Sequence, residues 1–178
     1  ESDDDEFDSA TTFLIDKDIE IYGGFSGNET FLEARDWKAH PTILDGHIEY
    51  DDENFQVNTV VTINGVSNSC MLDGFIIKEG KATNGNIKGG GILNVATNIG
   101  NTSSPTIKNC TFINNQAYMG GAIANIGENG GVANPLIINC EFSNNHANEK
   151  GGAIYNYSSI GTANIVSNNT NFISNDSE

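Results

Sequence analysis

Two aspartates are the best-placed carboxylates for catalysis in this sequence. Asp45 and Asp73 each lie in a Leu-Asp-Gly triplet, twenty-eight residues apart, so in a repeat protein we expect them at equivalent corners of neighbouring coils. Hydrolysis of a glycosidic bond requires two or three convergent carboxyl groups. However, an aspartate before glycine at a strand end is also a common turn former, because its carboxylate binds the local backbone. We prefer the turn interpretation for both residues.

Elimination chemistry on an acidic sugar requires different residues. It needs a calcium ion that neutralises the sugar acid and an arginine or lysine that removes a proton. The one arginine, Arg35, lies in the irregular stretch "EARDWKAH". Five lysines are scattered singly along the later sequence: Lys78, Lys81, Lys88, Lys108 and Lys150. The histidines are far apart in sequence, at His40, His47 and His146. We therefore assign no catalytic residue, and we favour a non-enzymatic protein.

Calcium is the most credible ligand that the sequence suggests. Glu49, Asp51, Asp52 and Glu53 form one acidic stretch, and the opening "ESDDDEFD" forms another with Asp3, Asp4, Asp5 and Glu6. Carboxylate oxygens in flexible loops suit the six to eight ligands of Ca²⁺. The spacing matches no defined calcium loop, and a solvated acidic loop explains the same residues. The sequence indicates no other cofactor.

Composition restricts the classes of partner. The chain has 8 Lys and Arg against 24 Asp and Glu, a formal net charge of −16. We therefore expect no nucleic-acid partner, because that backbone is anionic. No run of eighteen apolar residues occurs, so we expect no direct membrane insertion by this segment. The acidic opening has no signal-peptide pattern, and we expect an excerpt of a longer, processed chain.

The second half of the chain repeats itself every thirty residues. "PTIKNCTFINNQAYMGGAIAN" from Pro105 is followed by "PLIINCEFSNNHANEKGGAIYN" from Pro135, and "NIVSNNTNFISND" continues the series. The aligned residues are Asn109, Asn139 and Asn169; Cys110 and Cys140; and Phe112, Phe142 and Phe172. A fixed period of this length is typical of a solenoid.

Short strands and no crossover helix distinguish the type of solenoid. Runs such as "TIKNCTF", "LIINCEF" and "TVVTI" have strand length and lie between Asn, Gly and Ser turns. Strands that cannot pair within their own repeat must pair with the next one. We therefore predict an all-β, right-handed parallel β-helix of about five to six coils, stacked ~4.8 Å apart. A single domain would cover 1–178: an acidic lead-in (1–12), irregular coils (13–102) and regular repeats (103–178).

The repeated residues have structural roles in this fold. The phenylalanines form an interior aromatic ladder, and the asparagines form an amide ladder at a turn. Cys110 and Cys140 stack as buried free thiols rather than a disulfide, since three cysteines make no disulfide framework. Gly120 and Gly121, with Gly151 and Gly152, open the turn before each "AI".

The chain resembles right-handed parallel β-helix, pectin-lyase-like repeat proteins of bacterial surfaces. The resemblance is carried by the tandem repeats and by the segments "IYGGFSGNET", "RDW", "PTILDG", "LDGFIIKEGKA" and "GGGI". The GGAI elements and the FxxN elements, such as Phe112 to Asn115, are similar to those of polymorphic outer-membrane autotransporter adhesins. This resemblance covers essentially residues 15–175. It implies secretion and display on a large surface chain, in an adhesive or structural role.

Our leading hypothesis is a non-enzymatic, extracellular segment of a bacterial cell surface. Its partner would be a cell-surface glycan, a protein receptor, or neighbouring copies in a filament or other assembly. The alternative is a polysaccharide lyase or hydrolase, or a carbohydrate-binding module. Sugar binding by ring stacking would favour that alternative, with Tyr118, Tyr155 and Tyr157 as the candidate residues.

Overall fold

The computed structural model describes residues 8–50, 53–83, 85 and 87–178. The prediction of an all-β solenoid is confirmed: the chain is 49% strand and 2% helix, and its parallel sheets form about four turns. We expected five to six coils. The count is lower because part of the first half leaves the solenoid, as an excursion between the second and third strands and as a hairpin.

Three five-stranded parallel sheets run along the solenoid, with strands numbered along the chain. Sheet A contains β1 (Phe13–Ile15), β6 (Val61–Asn64), β10 (Ile92–Thr97), β14 (Ile123–Glu128) and β19 (Ile154–Ser158). Sheet B contains β2 (Glu20–Tyr22), β7 (Met71–Asp73), β11 (Thr106–Lys108), β16 (Leu136–Ile138) and β21 (Val166–Asn168). Sheet C contains β3 (Thr42–Asp45), β8 (Phe75–Lys78), β12 (Thr111–Ile113), β17 (Glu141–Ser143) and β22 (Asn171–Ile173).

Shorter strands complete the coils. Sheet D contains β9 (Lys81–Ala82), β13 (Gln116–Met119), β18 (His146–Lys150) and β23 (Asp176–Ser177). A parallel pair is formed by β15 (Val132–Ala133) and β20 (Thr162–Ala163). An antiparallel hairpin is formed by β4 (His47–Tyr50) and β5 (Glu53–Gln56), in a region where the sequence suggested only a loop.

The repeat spacing differs between sheets. In sheet C, Phe112 pairs with Phe142, thirty residues later, whereas in sheet A Ile123 pairs with Ile154, thirty-one residues later. The difference arises in sheet D, where the register shifts so that Met119 pairs with Lys150. An extra residue absorbed as a bulge keeps the following strand in phase with its neighbour.

Side chains along each strand point alternately into the solenoid and away from it, and the inward ones fill the interior. Inward residues of the central coils, including Ile77, Phe112 and Phe142, are completely buried. The outermost coil is different, since Phe172 is 51% exposed although its ring continues the same column. Within the described residues, no helix is long and apolar enough to cross a membrane.

The excursion between β2 and β3 has little regular structure. One 3-10 turn, Leu32–Ala34, overlaps the start of the stretch "EARDWKAH", which the sequence indicated to be irregular. This segment, residues 26–41, is called the excursion loop below. It lies against the turns that join sheets B and C, through Trp37 and Arg35.

Candidate functional site

The turn between sheets B and C requires an unusual backbone conformation. Asn109, Asn139 and Asn169 occupy it with φ of 51°, 53° and 49°. Asparagine is one of the few residues that adopt this left-handed region readily. In the preceding coil Gly74 takes the same position with φ of 86°. Asparagine therefore suits the backbone of this turn, and its side chain adds hydrogen bonds that glycine cannot make.

The side chains of these three asparagines form a chain of hydrogen bonds, called here the Asn109 ladder. Asn169 Nδ2 donates to Asn139 Oδ1 at 2.9 Å, and Asn139 Nδ2 donates to Asn109 Oδ1 at 2.6 Å. Asn109 Nδ2 then donates to Asp73 Oδ1 at 2.7 Å. All the amides thus donate in one direction, and the ladder ends on a carboxylate.

That carboxylate is neutralised by the excursion loop. Arg35 Nη2 lies 2.7 Å from Asp73 Oδ2, and the two side chains are only 7% and 2% exposed. Arg35 Nη1 also donates to the Gly23 carbonyl at 2.9 Å, and its guanidinium lies about 5 Å from the ring centroids of Tyr22 and Trp37. Arg35, considered above as a catalytic base, is instead a buried structural cation. No local sequence pattern predicted this partner.

A groove runs along the Asn109 ladder and has a volume of about 370 Å³. We call it the amide groove. The residues that line it are Trp37, Lys38 and Pro41 on one wall, with Gly74, Phe75, Ile76, Asn109, Cys110, Thr111, Asn139, Cys140, Glu141, Asn169 and Asn171 along the coils. Asn109 is buried beneath this wall, whereas Asn139 and Asn169 are exposed. The ladder therefore emerges from under the loop into solvent.

Two further asparagine ladders cross the interior. One consists of Asn94, Asn125 and Asn156, in which Asn94 Nδ2 donates to Asn125 Oδ1 at 2.6 Å. Our sequence reasoning missed it, although "ILN", "IAN" and "IYN" recur with a period of thirty-one. Because buried amides must find partners, such a recurrence is a usable signal for a ladder.

The other interior ladder consists of the last residue of each FxxN element. Asn115 Nδ2 donates to Asn145 Oδ1 at 3.0 Å, and Asn145 Nδ2 donates to Asn175 Oδ1 at 2.8 Å. Asn145 Nδ2 also donates to the Phe112 carbonyl at 3.0 Å. These amides hold the turn that follows sheet C, so the FxxN spacing has a structural explanation.

The glycine pairs have two distinct functions. Gly120 and Gly151 both have φ of 71°, in the left-handed region. Gly121 and Gly152 do not, but a Cβ on Gly121 would lie 2.2 Å from the Gly152 carbonyl oxygen. Only the first of each pair is therefore a left-handed turn residue, and the second permits close approach of adjacent coils.

The stacked apolar columns involve both ring and sulfur atoms. The rings of Phe112 and Phe142 are 4.6 Å apart with an interplanar angle of 3°, and Phe142 and Phe172 are 4.9 Å apart. Cys110 and Cys140 are buried free thiols, and the Cys110 N–H donates to Cys140 Sγ at 3.4 Å. Burial raises the pKa of the Cys110 thiol, which keeps it protonated and unreactive.

The expected pairing of Asp45 with Asp73 is wrong. Strand β3 pairs with β8, so Asp45 lies opposite Lys78, whereas Asp73 lies in sheet B opposite Lys108. The two Leu-Asp-Gly triplets occupy different corners because Gly46 follows a sheet C strand and Gly74 a sheet B strand. Asp45 Oδ2 and Lys78 Nζ form an ion pair at 2.7 Å, which raises the pKa of Lys78.

Two histidines each lie near one acidic side chain. His47 Nε2 lies 3.7 Å from Glu49 Oε1, and His146 Nδ1 lies 3.0 Å from Asp176 Oδ1. Among the described residues, no group of three or more His, Cys, Asp or Glu side chains could hold a metal ion. Asp51 and Asp52 of the calcium hypothesis, and Asp3 to Glu6, lie outside the described residues. The side chain of Glu53 is likewise not described.

Two of the three candidate tyrosines share a face. The rings of Tyr155 and Tyr157 on β19 are 6.3 Å apart with an interplanar angle of 15°. Tyr118 donates instead from its hydroxyl to Glu149, which raises the pKa of Tyr118. The outer surface of sheet A therefore has a small aromatic pair at its last strand.

Part of the chain is similar to a known repeat family. Residues 109–132 and 139–157 match the model of the Chlamydia polymorphic membrane protein (Chlamydia_PMP) repeat. These residues contain the GGAI elements and two turns of the Asn109 ladder, and they make up less than half of the chain. No curated protein and no solved structure matches the chain. The match therefore concerns the repeat unit.

Proposed function

We propose that this chain is a non-enzymatic, extracellular β-solenoid segment of a bacterial surface protein, with a structural or adhesive role. The observation that supports it most directly is that the repeated residues have structural roles. Asn139, Phe142 and Gly152 all serve contacts between adjacent coils. The matched surface-protein repeat supports the same proposal. Its partner would be a glycan or protein receptor on a cell surface, or further copies of the chain.

The proposed lack of enzymatic activity rests on the arrangement of the charged groups. Arg35 and Asp73 neutralise each other in a buried pair, and Asp45 pairs with Lys78. Neither pair leaves a carboxylate or a base converging on a substrate-sized space with a second acid. Catalysis by the described residues would require such convergence.

Two measurements test the proposal. Antibodies against this segment should label intact cells of the source bacterium as strongly as permeabilised ones, whereas labelling only after permeabilisation would contradict a surface location. The purified protein should release no reducing ends or unsaturated products from acidic and neutral polysaccharides, with or without calcium. Turnover would contradict the non-enzymatic role. Turnover that depends on calcium would also support the hypothesis that the chain binds Ca²⁺.

A carbohydrate-binding module is the second candidate function. Tyr155 and Tyr157 favour it, because two nearly parallel rings on one face can pack against sugar rings. The Tyr155→Ala variant should then lose affinity for immobilised oligosaccharides while keeping the melting temperature of the wild-type protein. Unchanged binding would exclude this face.

A further inference from the structure

We propose that the amide groove binds an uncharged glycan, with Trp37 on one wall and the exposed asparagines along its floor. This inference rests on the proposed adhesive function and names a partner class and a site for it. It concerns a different surface from the Tyr155 and Tyr157 face, because the groove lies along the turns between sheets B and C.

The exposed part of the Asn109 ladder has unused hydrogen-bonding capacity. A carboxamide has two N–H groups and two carbonyl lone pairs. The ladder uses one N–H and one lone pair of Asn139, and one N–H of Asn169. Both residues are exposed and line the groove. The floor thus offers donors and acceptors side by side, repeated at the coil spacing of ~4.8 Å.

The wall opposite this floor is held in place by the fold. Trp37 packs beside the buried Arg35, with the guanidinium carbon 5.1 Å from its ring centroid. The Asp36 carboxylate accepts hydrogen bonds from the N–H groups of Lys38 and Ala39, both at 3.0 Å, and these lower the pKa of Asp36. The Asp36 N–H donates to the Gly24 carbonyl at 2.9 Å. The wall is therefore preorganised, which reduces the entropy cost of binding.

The charge of the groove argues against an anionic ligand. Among the described residues that line it, Lys38 is the one cation and Glu141 is the one carboxylate. A phosphate or uronate would need several basic donors, and the chain as a whole carries a formal charge of −16. Sugar hydroxyls both donate and accept, so they match carboxamides better than a charged group does. The half-buried Trp37 indole adds an apolar surface for a sugar ring.

A peptide fits the groove less well than a glycan. One common way for an extended peptide to bind is to add a strand to a free sheet edge. The central strands of the groove floor have none, because β12 pairs with both β8 and β17, and β17 also pairs with β22. A peptide lying on these central strands would therefore have to bind through side chains alone.

The test uses the whole 178-residue chain and an array of immobilised neutral and acidic oligosaccharides, followed by titration of the strongest binders. Wild-type protein should bind neutral oligosaccharides in preference to acidic ones. Trp37→Ala should weaken binding about tenfold, the effect expected from removing one aromatic contact. Thr111→Arg places a long side chain in the groove without altering the ladder and should abolish binding.

Matched variants control for misfolding and for the other aromatic surface. Ser143→Arg adds the same side chain on β17, at a position in sheet C that does not line the groove, and should bind like wild type. Tyr155→Ala should also bind like wild type. The melting temperature of each variant shows whether Trp37→Ala acts through the groove or through the fold.

Several outcomes would overturn the inference. They are a preference for acidic glycans, binding that Thr111→Arg leaves intact, or loss of binding in Tyr155→Ala alone. A peptide library that binds with the same sensitivity to Thr111→Arg would assign the groove to a peptide instead. If no glycan binds but the protein still adheres to cells, this inference fails and the adhesive function stands. If the segment is absent from the cell surface, the proposed function itself is wrong, and the inference that rests on it is wrong as well.

Discussion

Arg35 and Asp73 form a buried ion pair, 2.7 Å between Nη2 and Oδ2, that joins the excursion loop to the carboxylate end of the Asn109 ladder. One contact thus anchors the loop that builds a wall of the amide groove and completes the hydrogen bonds of its floor. The groove depends on a pair of residues thirty-eight positions apart.

Replacing Arg35 should lower the free energy of unfolding much more than replacing a surface cation. Arg35→Met leaves the Asp73 carboxylate buried with Asn109 and a distant Lys108, and we expect a loss of about 3 to 5 kcal/mol in the free energy of unfolding. Lys78→Met is the matched control. It breaks a partly exposed pair with Asp45 and should cost at most about 1 kcal/mol.

Urea unfolding followed by circular dichroism measures both losses. The double variant Arg35→Met with Asp73→Asn should recover a large part of the stability, because it replaces an unpaired carboxylate by another amide. Equal losses for Arg35→Met and Lys78→Met would contradict the buried role of this pair.

Two asparagines of the Asn109 ladder should differ in their contribution to stability, because one is buried and the other is exposed. Asn109 and Asn139 have nearly the same φ, 51° and 53°, so alanine suffers the same backbone strain at each. Asn109 is buried and donates to Asp73, whereas Asn139 is exposed to water. We therefore expect Asn109→Ala to be more destabilising than Asn139→Ala by about 1 to 3 kcal/mol, the cost of an unpaired buried polar group.

The comparison needs only thermal and urea unfolding of the two variants. Equal losses would mean that water reaches Asp73 despite the excursion loop. Asn139→Gly adds a useful reference, since glycine accepts the left-handed conformation and isolates the contribution of the amide.

Close approach between coils should make one glycine irreplaceable. An added Cβ at Gly121 would lie 2.2 Å from the Gly152 carbonyl oxygen and 2.5 Å from the His146 carbonyl oxygen. Backbone atoms on both sides cannot move without disturbing the sheet, so Gly121→Ala should cost about 3 kcal/mol or more.

Gly100 provides the contrast. Its φ is 88°, but a Cβ there would meet no atom within 4 Å. Gly100→Ala should therefore cost only the left-handed strain, about 1 to 2 kcal/mol. The two losses are read from urea unfolding, and a larger loss at Gly100 would exclude coil contact as the reason for the glycine pairs.

The excursion loop should have an unusually acid-resistant carboxylate. Glu29 accepts hydrogen bonds from the Ser26 N–H at 2.6 Å, from Ser26 Oγ at 2.8 Å and from the Gly27 N–H at 2.9 Å. These bonds, those from Ser26 first, lower the pKa of Glu29 from 4.5 to about 2. Because the folded pKa is depressed, the stabilisation of this turn is complete above pH 4.5 and is lost as the pH falls through about 2.

Carboxyl carbon chemical shifts in an NMR titration measure this pKa directly. Ser26→Ala removes the hydroxyl donor and should move the midpoint of Glu29 towards its ordinary value. A midpoint near 4.5 in the wild-type protein would show that the turn is open in solution.

Much of the fold was predictable because the repeats are explicit. Phe142 follows Phe112 by thirty residues, and a strand that must pair with its copy predicts a parallel solenoid from that spacing alone. The ladder of Asn94, Asn125 and Asn156 was also open to prediction, since its period is equally regular. The number of turns was overestimated because the first half has no such period.

The sequence by itself determined the repeat, the strand length and the residues that stack, because these depend on neighbouring coils that carry the same residues in the same register. Only the tertiary structure decided that Arg35 neutralises Asp73, that Asp45 faces Lys78, and that Trp37 lies beside the Asn109 ladder. The contacts of Arg35 and Trp37 depend on how the excursion loop packs on the finished solenoid. Asp45 faces Lys78 because β3 pairs with β8, in a part of the chain where no regular spacing encodes the register.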